Sequence, residues 1–181
     1  MQVFLSPTSF LSMTVAAVEV YPRETVGVLI GLRGDGKIWV EYALPIQTAK
    51  REEDEVTWKP TRETRIRDFM IGSTGLQIVG QFHSHPYAER DGLFRGMNRL
   101  GASDLKSWGS KMIEMVVGVV KNGGLDRNGK RLEWTHLRRG SLQGAVGAYA
   151  MKLTAWFSID RSTKRPSIAF IRCPFATGID R

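Results

Sequence analysis

Residues Gln77 to Phe82 alternate polar and apolar side chains and run directly into His83-Ser84-His85-Pro86, which holds two of the three histidines in the chain. Alternation with a period of two marks a half-buried strand, and residues two apart on a strand share a face. His83 and His85 therefore project together, and two imidazoles on one face can share a metal ion. On a helix the same spacing would turn them to nearly opposite sides. Proline cannot donate to a central ladder, so Pro86 is expected to mark where the strand stops. The pair then sits at a strand exit, where binding and catalytic residues are commonly carried.

The 181 residues, 42% of them hydrophobic, suffice for a real core, and one domain spanning 1–181 is the expectation. The longest apolar runs, Val26 to Leu32 and Met115 to Val120, fall short of the roughly 18 residues that cross a bilayer, so no membrane span is expected. The first residues carry no basic leader and are broken by Ser6-Pro7-Thr8-Ser9, from which a cytoplasmic location is expected. A lone cysteine, Cys173, excludes an intramolecular disulfide and reads as a buried structural thiol. The net charge of +8 favours acidic partners, nucleic acid or an acidic protein surface. Its basic residues are scattered, however, with no stacking aromatics to organise them as a nucleic-acid site, so solvated faces are the simpler reading. The acidic run Glu52 to Glu55 reads as an exposed loop.

Along the chain, Gln2 to Leu5 reads as a short strand, after which Ser6 as N-cap and Pro7 at the first helical position open a helix to about Val20. Val26 to Leu32 and Ile38 to Ile46 form an antiparallel pair turned by Arg33-Gly34-Asp35-Gly36. Thr61 to Ile71 reads as an amphipathic helix with Ile66, Phe69 and Met70 inward. The histidine strand follows. Tyr87 to Gly101, rich in glycine and without a period, reads as an enlarged active-site loop, and Leu105 to Met112 as a helix capped by Ser103 or Asp104. Glu114 to Lys121, Arg131 to Leu137, Lys152 to Ile159 and Ser167 to Arg172 complete the elements. Early alternation of strands and helices with strands gathered late predicts a mixed α/β (α+β) domain, a single curved sheet flanked by helices.

Two histidines are too few for a catalytic zinc ion, which usually takes three protein ligands and leaves a fourth position open. A carboxylate is needed, and Asp104, after the loop and at a helix start, is the candidate; a plain N-cap is its alternative role. Three segments in order, Tyr21-Pro22-Arg23-Glu24-Thr25-Val26-Gly27-Val28-Leu29-Ile30-Gly31, His83-Ser84-His85-Pro86 and Asp104-Leu105-Lys106-Ser107-Trp108, resemble the JAMM/MPN+ metalloprotease family over about residues 1 to 121. The resemblance implies a mixed sheet wrapped by helices, of the cytidine-deaminase-like kind. It implies Zn2+ held by His83, His85 and Asp104, with Glu24 as the general base. It also implies a substrate: the bond after the C-terminal tail of a ubiquitin-like modifier or sulfur-carrier protein, or a conjugate of one. Such chemistry is coherent, because an ion held by two neutral imidazoles and one carboxylate keeps positive charge to acidify bound water. Two departures from the family pattern stand out. His85 and Asp104 are 18 residues apart where the pattern is H-x-H-x(10)-D, and the family's oxyanion serine position holds Gly101. Either Ser103 or Ser84 then takes that serine's place, a backbone N–H does its work, or the enzyme is slow.

Three other readings stay open. A non-catalytic MPN scaffold is one, although such domains characteristically lose ligands. A cupin-type metal enzyme is another, since His83, His85, Glu89 and Gly96 fit half of its pattern. The second half fails: Gln77 stands where a glycine is wanted, and His136 and Gly140 lack the required surroundings. His136 reads instead as a strand histidine at a surface or core edge. The third, a basic nucleic-acid-binding module, rests on charge alone.

Overall fold

The computed structural model describes residues 1–46, 50–51, 56–57, 60–88, 100, 112–126, 128–157 and 166–178. Strand β1 (Gln2–Leu5) leads into helix α1 (Pro7–Glu19). The hydroxyl of Ser6 caps α1 by accepting the Ser9 N–H at 3.0 Å, with Pro7 in the first turn where its missing donor costs nothing. Strands β2 (Val26–Gly34) and β3 (Lys37–Pro45) form the expected hairpin, and the left-handed φ of +65° at its tip falls on Gly36. Ser6 and Ser12 tie α1 to β3 by donating to the carbonyls of Glu41 at 2.7 Å and Ala43 at 2.6 Å. Two-residue strands β4 (Lys50–Arg51) and β5 (Val56–Thr57) pair separately. Helix α2 (Pro60–Thr74) precedes β6 (Gln77–Tyr87) and β7 (Ile113–Val120). The chain then forms β8 (Thr135–His136), β9 (Leu142–Val146), β10 (Tyr149–Phe157), β11 (Ser167–Arg172) and the short helix α3 (Pro174–Thr177).

The sheet is a closed barrel of seven strands with few helices, and this corrects the expectation of a curved sheet flanked by helices. Around the ring run β1, β3, β2, β6, β7, β10 and β11. The four-residue β1 makes closure possible, because it lies parallel to both β3 and β11. The last residues of β10, Ala155 to Phe157, pair antiparallel with β11, while its first residues, Tyr149 to Leu153, pair with β9. A ring removes the exposed ladder edges that an open sheet would have to cover. Inside it, Val3 and Leu5, Val117 and Val119, Leu153 and Ala155, and Ile171 form one apolar cluster with Phe10, Met13 and Ala17 of α1. A second cluster, on the opposite face of β2 and β6, joins Val26, Val28, Ile30 and Ile78 to Ile66 and Met70 of α2.

Several local expectations also change. Phe69 is 69% exposed rather than inward. It lies roughly 80° around the helix from the midline of Ile66 and Met70, which make the contact. β6 continues through His83, His85 and Pro86 to Tyr87, all registered on β7, so Pro86 does not stop the strand. Pairing with β2 ends at Val26 opposite His83, which leaves one side of Pro86 outside any ladder and makes its lost donor tolerable. Arg131 to Leu137 contributes only the two residues of β8 plus an isolated bridge from Arg131 to Leu125, and β9 was not expected from the sequence. The residues expected to form the enlarged loop (89–99 and 101) and the helix at 105–111 lie outside the described residues.

Candidate metal centre

β6 is flanked by β2 on one side and β7 on the other, and this arrangement aims the histidines. His83 stands between Val26 and Val116, directly opposite it on the two neighbouring strands, and His85 stands opposite Gly118. The Nε2 atoms of His83 and His85 face one another at 3.0 Å, with ring centroids 4.7 Å apart and planes inclined by 53°. His83 is 6% exposed, walled by two valines that are buried themselves. Water is largely kept from that ring, so charges at the site interact more strongly than in bulk solvent.

The other nitrogen of His83 meets a residue that sequence reasoning passed over. Glu114, at the start of β7, places Oε1 2.7 Å from His83 Nδ1, and is 4% exposed. In the sequence Glu114 merely heads an apolar run, and the parallel register that brings β7 beside β6 joins segments with no local signal for pairing. Its one clue was a carboxylate in a strand otherwise wholly apolar.

Glu24 sits two residues before Val26, where the antiparallel pairing of β2 with His83 begins, so the same register carried back by two would point it toward His85. Ser84 fixes that approach. Its N–H donates to the Thr25 carbonyl at 2.9 Å, and its hydroxyl accepts the Thr25 N–H at 2.9 Å. The preceding turn is braced by the Tyr21 hydroxyl, which donates to the Tyr87 carbonyl at 3.1 Å. Ser84 is fully buried and alternates to the side of β6 away from the imidazoles, so it is a clamp on the Glu24 segment and not the substitute oxyanion donor. Gly27 lies in the same approach. A Cβ there would overlap the Phe82 ring and the Leu44 carbonyl, so only glycine lets β2 pack this closely.

Asp104 and Ser103, the expected third ligand and serine substitute, lie outside the described residues, as do Glu89 and Gly96 of the cupin pattern. Among the described residues no third histidine, cysteine or carboxylate joins the two imidazoles as a ligand. The donor pair itself suits zinc. Two nitrogens at 3.0 Å need to part by only a few tenths of an ångström to sit about 2.0–2.1 Å from a tetrahedral ion. His136, by contrast, bonds the Ile171 carbonyl at 2.9 Å through Nε2 and stacks on Phe170, a structural position. Cys173 is buried, and burial pushes its thiol above the ordinary range.

The family model for "JAB1/Mov34/MPN/PAD-1 ubiquitin protease" matches residues 1–92, half of the chain, including both β2 and His83-Ser84-His85. The chain belongs to the JAB/MPN family. That family includes peptidases and non-catalytic members. The solution structure of protein DSY2949 from Desulfitobacterium hafniense is similar to this chain with a TM-score of 0.62 at 16% identity, covering 94% of this chain and 92% of that one. At that identity the likeness concerns the fold. No curated protein matches the chain.

Proposed function

We propose that this JAB/MPN domain is a zinc-dependent peptidase acting on the bond after the C-terminal tail of a ubiquitin-like or sulfur-carrier protein. The observation that carries the reading is the facing pair of Nε2 atoms at 3.0 Å on β6, in a family that contains metallopeptidases. In this reading His83 and His85 hold the ion and Asp104 completes the set. A zinc ion so held supplies a Lewis acid that acidifies a coordinated water and polarises the scissile carbonyl. Glu24, two residues before the Val26–His83 pair, accepts the proton and returns it to the departing amine. Ser84 keeps the Glu24 backbone in place through its two bonds to Thr25. Ser103 is the proposed donor to the developing oxyanion; losing one such donor typically slows acyl transfer roughly 100- to 1000-fold.

The test is Glu24→Gln. Assayed on a ubiquitin-like protein carrying a C-terminal extension, the variant should keep its zinc and lose turnover by about 100-fold or more. Cleavage at the parent rate with zinc intact would remove Glu24 from the chemistry, and no cleavage by the parent would favour a scaffold role.

A further inference from the structure

The geometry points to Glu114 as a positioning residue that fixes the tautomer and ring angle of His83. The functional meaning rests on His83 and His85 being zinc ligands as proposed above, while the contact itself does not. An ionised Glu114 carboxylate can only accept, and the 2.7 Å approach of its Oε1 then puts a proton on Nδ1 of His83. In a neutral ring the lone pair then belongs to Nε2, the atom that faces His85. The other tautomer would point an N–H at that place and could bind no metal there. Glu114 therefore chooses the form of His83 that can act as a ligand, and the short bond also holds the ring plane.

The setting argues that this is more than strand packing. All eight residues of β7 are buried, and the other seven are apolar or glycine. On packing alone a valine at 114 would suit such a strand better, because a buried carboxylate loses its hydration. A divalent cation bound on the far side of the ring would change the balance, since it would draw electron density through the imidazole, make Nδ1–H a stronger donor and strengthen its bond to the carboxylate. A carboxylate behind the imidazole is the usual outer support of a histidine ligand.

The experiment compares the parent with Glu114→Val, which removes the acceptor, and Glu114→Gln, which restores an uncharged one. Zinc affinity, measured by competition with a chromophoric chelator, should fall about 10- to 100-fold in Glu114→Val and by less in Glu114→Gln. In the metal-free proteins, nitrogen-15 spectra of labelled histidine should show His83 protonated at Nδ1 in the parent, with that tautomer lost in Glu114→Val. A packing role alone would move neither quantity in this graded order. Zinc affinity unchanged within about twofold in Glu114→Val, or a parent His83 protonated at Nε2 alone, would overturn the assignment. If the parent binds no zinc, the peptidase reading fails, and the tautomer comparison still decides whether Glu114 positions His83.

Discussion

The two faces of β6 and β7 differ more than their shared strands would suggest. Inward, Phe82, Met115, Val117 and Val119 are apolar, fully buried and joined in the barrel core. Outward, on the same strands, His83 and Glu114 are nearly as buried but polar, in contact with each other, and beside a second imidazole. Burial on the inner face is explained by the hydrophobic effect, at about 25 cal/mol for each Å² of apolar surface removed from water. Burial on the outer face runs against desolvation, so another use must account for it. Residues whose burial packing cannot explain are where chemistry should be sought in a domain like this one.

Substitutions can break that comparison in order of expected effect. Phe82→Ala should destabilise the protein by about 3–5 kcal/mol in denaturant unfolding, because it opens a cavity in the inner cluster beneath Gly27. If it costs less than 1 kcal/mol, the barrel interior is not packed as described. Ser84→Ala comes next, a polar exception on the inner side of β6. It leaves the buried Thr25 N–H without its acceptor, and should cost about 1–3 kcal/mol. The proposed peptidase activity should fall further than stability alone accounts for, since the Glu24 segment loosens. Thr25→Val should act in the opposite direction. The Thr25 hydroxyl is buried with no hydrogen-bond partner among the described residues, so removing it should raise stability by about 1 kcal/mol; a loss would mean that the hydroxyl is satisfied.

The smallest effect concerns Cys173 and pH. Burial raises the folded-state pKa of its thiol, so the folded state holds that proton to higher pH than the unfolded chain does. Its contribution to stability is therefore full below the unfolded pKa and lost as pH rises through the higher folded pKa in the alkaline range. Cys173→Ala should flatten the alkaline fall in Tm slightly. A thiol reagent should label Cys173 in the parent only on unfolding, and rapid labelling of the native protein would contradict its burial.

Much of this was legible in the sequence where the signal was local. Ser6-Pro7 marked the start of α1, Asp35-Gly36 marked the hairpin, and the alternation of Gln77 to Phe82 put His83 and His85 on one face. Barrel closure was not legible, because it depends on β1 finding β11 from the other end of the chain, a parallel pairing that no turn sequence announces. Glu114 was missed for a related reason: its partner lies 31 residues away, across a parallel register. Pro86 misled because a proline ends a strand only where its missing N–H would face a paired neighbour, and β2 has already departed there.

If His83 and His85 jointly hold a divalent ion, elemental analysis of the purified protein beside His85→Ala will show it. One zinc per chain is expected in the parent, and loss of that zinc with the fold retained is expected in the variant. A parent without stoichiometric metal, or zinc undiminished in His85→Ala, would contradict it.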